Sequence, residues 1–381
     1  MRIRDNFNAK GSEVTSMKVF IIANSGFAIY NFRKLLTERL VSTGHKVYVI
    51  CPNDDYSHRL ANLGAHHIPL KLSVGSKNPL REFVTFLQIA YAIFSYGPDI
   101  CLTFTIKPNL YVGLIRQFKK FRYIPNVTGL GDTFDTNQSL FLIIRSFLRI
   151  AFKRAFLVFF QNKNDREIYK KHKILHSQPS VIIPGSGFDI QSLKFIPKKF
   201  DHDEPFTFLF IGRLLKKKGI SDYLKAALKL QNEPNLQFKV VGEVHLPIPG
   251  LNNSETEKII AAQSVDVIGF AEDPSPFYQM SHCVVLPSYY NEGVPRVLIE
   301  ALAHGCLIIT TDRPGCKDTV DNYSNGFLCA AENFEELAAK MLQLSKLSKA
   351  TLQRMSAASR KKAYLFDEQI VVSQYMKAID D

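Results

Sequence analysis

The sequence predicts an α/β chain made of two successive open parallel sheets, each with helices on both faces. Three observations support this. Short apolar runs alternate with amphipathic stretches along most of the chain. The alternation pauses once, at 196–205, where Pro, Lys and Asp replace the apolar period, and then restarts. Gly-bearing turns follow several of the apolar runs. A β-α-β-α rhythm of this kind puts helices on both sides of a parallel sheet.

In order, 18–23 reads as a strand and 31–43 as a helix stopped by Gly44. Strand 46–51 and helix 57–63, ended by Gly64, come next, then helix 80–96, ended by Gly97 and Pro98. Residues 99–104, 123–127, 156–161 and 180–183 are the remaining strands of the first half. After the pause, strands are expected at 207–211, 237–241, 265–268, 283–286 and 307–311, with helices at 220–231, 296–303, 334–344 and 349–364. The expected organisation is a disordered leader at 1–16, a first domain at 17–195, a linker at 196–205, a second domain at 206–364 and a terminal helix at 365–381. Met17 is an alternative start, and the polar opening lacks the apolar segment of a signal peptide. Ligands of such sheets bind beyond the carboxyl ends of the strands.

With 46% hydrophobic and 22% charged residues in a chain of 381, disorder is excluded. The six cysteines are too few for a disulfide scaffold and none are spaced C-x-x-C, so they read as buried free thiols of a reducing compartment. The net charge of +13 is unevenly placed. Residues 1–200 hold 29 Lys+Arg and 12 Asp+Glu, a surplus of 17, whereas residues 201–381 hold 19 and 23, a deficit of 4. A basic half suits nucleic acid, an anionic membrane or acidic substrates. No nucleic-acid-binding pattern accompanies it.

The most apolar stretch, 140–160, carries Arg145, Arg149, Lys153 and Arg154. Charges at a bilayer centre cost roughly 2.5–3.5 kcal/mol each, so this is not a spanning helix. Arg145, Arg149 and Lys153 recur at i, i+4 and i+8 and would form one basic stripe, facing either anionic head groups or plain solvent.

Four turns carry candidate chemistry. Gly26, after the first strand, either makes a plain tight turn or lets a ligand approach a helix N-terminus. Thr128 and Gly129, in the 127–131 segment, suit equally a plain turn and the wall of a cleft. The segment 211–219 opens the second half directly after a strand. There Gly212 and Gly219 free the backbone, and Arg213 with a lysine supplies charge for a diphosphate. The segment 287–303 offers Glu292 in a loop and Glu300 in the helix after Pro295, carboxylates suited to sugar hydroxyls.

The Glu-x7-Glu spacing from Glu292 to Glu300 resembles the signature of retaining glycosyltransferases of the GT-B fold, family 4. The Gly212–Gly219 segment resembles that family's second hallmark at Arg213 and Lys218. Residues 182–189 resemble its hinge, and 25–36, 126–134 and 160–167 resemble bacterial members that extend lipid-linked oligosaccharides of O-antigen and capsule. The resemblance implies two Rossmann-like domains facing each other across a cleft, with the C-terminal helix returning to the first. It implies that Arg213 and Lys218 neutralise the leaving diphosphate and that Glu300 holds the ribose. Glu292 would contact the donor hexose, Gly293 and Val294 would offer N–H groups, and Gly269 and Phe270 would meet the uracil. Gly26 would approach the reacting centre from the first domain. Some members use a first-domain His that has no match here, which leaves that contact unassigned.

The implied reaction moves a hexose or N-acetylhexosamine from a UDP-sugar to an undecaprenyl-diphosphate-linked saccharide, with retention. The implied location is peripheral, on the inner face of the plasma membrane, with no metal or other cofactor called for. The Asp201, His202, Asp203 triplet has the letters of a metal motif but lies in the linker. The alternatives are a transferase with a soluble acceptor, a nucleotide-sugar epimerase and, last, a nucleic-acid-binding protein.

Overall fold

The computed structural model describes residues 15–71, 78–135, 138–201, 204–243, 249–252 and 264–381. Most of the expected leader, and His202 and Asp203 of the linker triplet, lie outside these. By contact the chain forms two compact units. One comprises residues up to Pro125 with Arg154–Phe156, and the other Asn126–Lys153 with Leu157–Asp381.

The elements of the first unit are β1 (Lys18–Ile22), α1 (Gly26–Ser42), β2 (Lys46–Cys51), α2 (Ser57–Ala61), β3 (His66–Pro69), α3 (Pro79–Tyr96), β4 (Ile100–Phe104), α4 (Ile106–Ile115) and most of β5 (Arg122–Val127). The second unit continues with α5 (Gln138–Phe152), β6 (Val158–Phe160), α6 (Lys163–Lys171) and β7 (Ser180–Ile182). Sheet order is β3-β2-β1-β4-β5-β6-β7. The central strands are apolar on both faces, as expected of a parallel sheet covered by helices. Helix α1 starts five residues before its expected start because Ser25 Oγ caps it by accepting from Ala28 N at 3.1 Å. Helix α3 ends at Gly97 (φ 58°), as the sequence predicts, and starts one residue before the expected Leu80, at Pro79 behind a capping Asn78.

The second sheet comprises β8 (Phe206–Ile211), β9 (Leu236–Val241), β10 (Asp266–Gly269), β11 (Cys283–Leu286), β12 (Leu307–Thr311) and β13 (Gly326–Cys329), in the order β10-β9-β8-β11-β12-β13. Its helices are α7 (Ile220–Lys229), α8 (Ser275–Met280), α9 (Arg296–Ala303), α10 (Phe334–Ser345), α11 (Lys349–Ala363) and α12 (Glu368–Asp380). Its core includes Phe208, Phe210, Val284, Ile308, Leu298 and Leu302, all fully buried. All six cysteines are unpaired and buried.

Helix α12 returns to the first of the two sheets within the second unit. Buried Tyr375 packs its ring 4.6 Å from that of Phe159 in β6, and its hydroxyl accepts from Asn126 Nδ2 in β5. Glu368 N donates to Phe188 O and Phe188 N to Phe366 O, each at 3.0 Å, and Gly187 at φ 75° has no room for a Cβ beside Glu368.

Helix α5 corrects one expectation. Arg145 and Arg149 are half-buried, and Arg145 Nε is enclosed without a hydrogen-bond partner among the described residues. The exposed stripe is apolar instead: Leu140, Ile143, Phe147 and Ile150. The helix is apolar around most of its girth, so the charge period does not decide which side faces out. Lys153 and Arg154 are exposed but follow the helix. Among the described residues no helix is long and apolar enough to cross a membrane.

Replacing Tyr375 tests how α12 is held. Tyr375→Ala is expected to cost about 3–5 kcal/mol in denaturant unfolding, and Tyr375→Phe, which keeps the ring, about 1 kcal/mol.

Candidate active site

Two loops of the second unit meet at the carboxyl ends of β8 and β11, which pair directly (Cys283↔Phe208, Val284↔Leu209). After β8 the chain runs through Gly212–Gly219 into α7, and after β11 through Pro287–Pro295 into α9. Lys217 O accepts from the N–H groups of Tyr289 (2.9 Å) and Tyr290 (3.0 Å). Gly219, at φ 81°, lies so near Pro287 that a Cβ would stand 2.3 Å from its carbonyl oxygen. Across this seam the Lys218 ammonium contacts the Glu292 carboxylate, both side chains being about seven-eighths buried (14% and 12% exposed). Ser288 Oγ also donates to Glu292 Oε1 at 3.1 Å.

Arg213 is exposed and lies near Tyr290, whose hydroxyl is pushed up by burial and by Asp132 and drawn back by Arg213. Gly212 takes φ 135° at the start of the same loop. Gly269 ends β10 at φ 89° with open space where a Cβ would point, and Phe270 beside it is 65% exposed.

Glu300 is mostly buried and held twice. Arg296 Nε donates to Oε1 at 2.8 Å, and the Tyr278 hydroxyl donates to Oε2 at 2.9 Å. Burial and then the Glu300 charge push the Tyr278 hydroxyl well up, so it stays protonated as a donor. Arg296 Nη1 donates to Gly187 O at 2.8 Å, and its guanidinium lies 5.0 Å from the Phe188 ring centre. Sequence reasoning missed both partners. The i, i+4 spacing of Arg296 and Glu300 was a usable signal, whereas nothing local points to Tyr278 in α8.

The Asn291–Val294 turn is clamped by two further segments of the same unit. From the segment after β5, Gly131 N donates to Asn291 O and Asn291 Nδ2 to Gly131 O, each at 3.1 Å. Asp132 pairs with Lys217 at 2.7 Å. A Cβ on Gly129 would lie 2.6 Å from Gly293 N, and one on Gly293 would lie 2.8 Å from Thr128 O. From the segment after β6, Asn162 Nδ2 donates to Glu292 O at 3.3 Å. The Val294 N–H, expected to face a ligand, instead donates to Gln161 Oε1 at 3.2 Å. Thr128 and Gly129 therefore meet the Glu292 turn itself.

Behind Asn162 lies Asp165, whose N–H is capped by Asn162 Oδ1 at 2.8 Å. Asp165 is 1% exposed, and its Oδ2 has no hydrogen-bond partner among the described residues. Burial pushes this carboxyl up to about 7, against hydrogen bonds from Asn162 and Asn164, and the Asp318 charge adds to the rise.

Gly26 belongs to the first unit. Its N–H donates to Asp54 Oδ2 at 2.7 Å, that of Phe27 to the same oxygen at 3.2 Å, and a Cβ on Gly26 would strike Asp54 Oδ1 at 2.2 Å. The N-terminus of α1 is therefore satisfied by a carboxylate of the chain.

Two measurements test the clamp. Gln161→Ala is expected to speed amide exchange at Val294 about tenfold or more, a lost hydrogen bond being worth about 1.4 kcal/mol or above at a buried donor. The raised Asp165 pKa is a stabilisation present below about pH 4 that is lost as pH climbs through about 7. Asp165→Asn should remove that loss, so its midpoint should gain on the native chain between pH 5 and pH 8.

Comparisons with known proteins agree with this architecture. The family model described as glycosyl transferases group 1 matches residues 192–362, and one described as glycosyl transferase 4-like matches residues 18–162. The chain is 26% identical to a Campylobacter jejuni N,N'-diacetylbacillosaminyl-diphospho-undecaprenol alpha-1,3-N-acetylgalactosaminyltransferase, over 96% of this chain and 98% of that one. It is 24% identical to a capsular polysaccharide biosynthesis glycosyltransferase of Staphylococcus aureus, over 78% and 80% of the two chains. A solved glycosyltransferase from Rickettsia africae superposes with a TM-score of 0.75 at 18% identity, over 95% and 97%. The pneumococcal O-GlcNAc transferase in complex with UDP and GlcNAc does so at 0.70 and 14%, over 96% and 99%. Two parallel sheets, with family models matched on both halves of the chain, make this chain a member of the group 1 glycosyltransferases, an enzyme of the GT-B fold.

Proposed function

We propose that this enzyme moves an N-acetylhexosamine or hexose from a UDP-sugar to an undecaprenyl-diphosphate-linked saccharide during assembly of a bacterial surface polysaccharide, with retention at the anomeric carbon. The observation that carries the reading is the Lys218–Glu292 seam between two loops at the ends of adjacent parallel strands. The relatives' names support the acceptor class, since the Campylobacter protein is named for a diphospho-undecaprenol acceptor.

In the reaction the anomeric C–O bond to the diphosphate breaks and a bond to an acceptor hydroxyl oxygen forms on the same face. The hydroxyl proton passes to the departing phosphate. Negative charge grows on the diphosphate, and Arg213 and Lys218 neutralise it. Glu292 takes hydroxyls of the hexose, with the Gly293 backbone beside it. Glu300, its carboxylate aimed by Arg296 and Tyr278, takes the ribose diol. Gly269 and Phe270 border the uracil, and Gly212 lets the diphosphate approach. On this reading 17–195 is the acceptor and membrane side and 206–364 the donor side. The enzyme works peripherally at the inner face of the plasma membrane, where exposed Lys153 and Arg154 and the apolar stripe of α5 meet the lipid surface.

A panel of UDP-sugars, each with a lipid-diphosphate saccharide acceptor, tests this by UDP release. Turnover is expected to depend on the acceptor and to fall about tenfold or more in Glu300→Ala and in Arg213→Ala. Turnover within about a factor of two of the native value would remove these site roles. A converted nucleotide sugar formed without acceptor would indicate an epimerase.

A further inference from the structure

Helix α3 of the first unit is apolar on both sides. Thr85, Ile89, Ala92 and Ile93 are buried against the unit. The opposite side presents Leu80, Val84, Leu87, Tyr91 and Phe94 at alternating steps of four and three, exposed by 77%, 48%, 48%, 73% and 55%. That is one continuous stripe along a helix of 18 residues. The only charged side chains of α3, Arg81 and Glu82, lie in its first turn. Glu82 is neutralised by Lys107 at 2.7 Å. A water-facing helix would carry its charges on the outer stripe, so this stripe is built to be covered.

The surroundings point to what covers it. Lys119 places its ammonium 5.0 Å from the Phe94 ring centre and donates to Phe94 O at 3.2 Å. Phe118 next to it is 85% exposed, and Lys120 is exposed. The stripe thus runs from Arg81 to a Phe-Lys-Lys turn. Residues 17–125 contain 14 Lys+Arg against 5 Asp+Glu. Apolar and aromatic side chains flanked by cations match the acyl–headgroup boundary of an anionic bilayer. A second copy of this chain fits less well, because a symmetric dimer would bring the same basic surplus face to face.

We infer that the outer stripe of α3, together with Phe118, inserts into an anionic membrane surface and is a docking element of the first unit, separate from α5. The inference deepens the proposed function and rests on its lipid-linked acceptor only for its purpose.

The full chain is tested by flotation with phosphatidylglycerol-containing vesicles and with phosphatidylcholine vesicles. The native protein should float with the anionic vesicles, and Leu87→Ser/Tyr91→Ser/Phe94→Ser should lose about tenfold or more of the bound fraction. The same variant should keep the thermal shift given by the UDP-sugar. The chain contains no Trp, so Tyr91→Trp gives a single reporter that hardly disturbs the fold. Its emission should shift to the blue on vesicles and be quenched by brominated acyl chains. Lys119→Ser/Lys120→Ser should weaken binding to anionic vesicles selectively. The inference is overturned if the triple variant floats like the native chain, or if Tyr91→Trp is unquenched on vesicles that bind the protein. It is equally overturned if the native protein does not float with anionic vesicles, and dissociation of a dimer by the triple variant would then assign the stripe to a second copy of the chain. A chain that floats through α3 yet neither binds nor turns over any UDP-sugar would remove the transferase reading and leave this one standing.

Discussion

The buried ion pair between Lys218 and Glu292 sets the terms for its surroundings. Either charge alone at that depth would carry an uncompensated desolvation cost of several kcal/mol. The two loops that supply them must therefore stay in register, and the adjacency of β8 and β11 provides that register. The close packing around the pair follows. Gly219 is pressed on Pro287, Gly293 on Gln161 and Thr128, and Gly315 on Gly293, each with no space for a Cβ. The glycines are there because backbone meets backbone, and the charges sit where that closeness excludes water.

This arrangement bears on how a diphosphate would be received. Lys218 is not a bare cation waiting for an anion, since its partner is the carboxylate assigned to the sugar. A ligand bringing both a diphosphate and hydroxyls can offer each member of the pair a replacement, an acceptor for the ammonium and donors for the carboxylate. A ligand bringing the diphosphate alone would satisfy Lys218 and strand Glu292 apart from Ser288. On the proposed assignment the pair would couple the two halves of a nucleotide sugar electrostatically. Glu300 works differently, because Arg296 and Tyr278 fix it from its own side and leave its direction independent of the ligand.

What the sequence made legible was local. The two second-unit loops could be read because Gly, Arg, Lys and Glu stand directly after apolar runs, and the parallel architecture because those runs alternate with helices. Strands β3 and β13 were missed, each only four residues long and one opening on Gly326. Helix α4 was hidden by Pro108 and Gly113, although a proline in a first turn is tolerated. Helix α6 has only Asp165 and Tyr169 buried and offers no apolar period. The clamp by Gln161 and Asn162 is long-range pairing that no spacing encodes. Helices α3 and α5 failed in one shared respect. Their existence is plain from composition, but a helix that is apolar all round does not say which side the fold leaves outside.

Gly26 shows the same limit at a single residue. A glycine opening a helix after the first strand reads as room for an anionic ligand, and the helix dipole favours that. The structure supplies an anion, but it is the Asp54 carboxylate, close enough to explain the glycine by itself. Two anions cannot accept from the same N–H groups. A diphosphate reaching this terminus would have to displace Asp54, losing four backbone contacts, since Asp54 Oδ1 also accepts from Tyr56 and Ser57. Any anion that comes to this terminus therefore competes with Asp54 for the Gly26 and Phe27 N–H groups. The residue type that the sequence offers as a ligand contact is, in the resting fold, half of an internal cap.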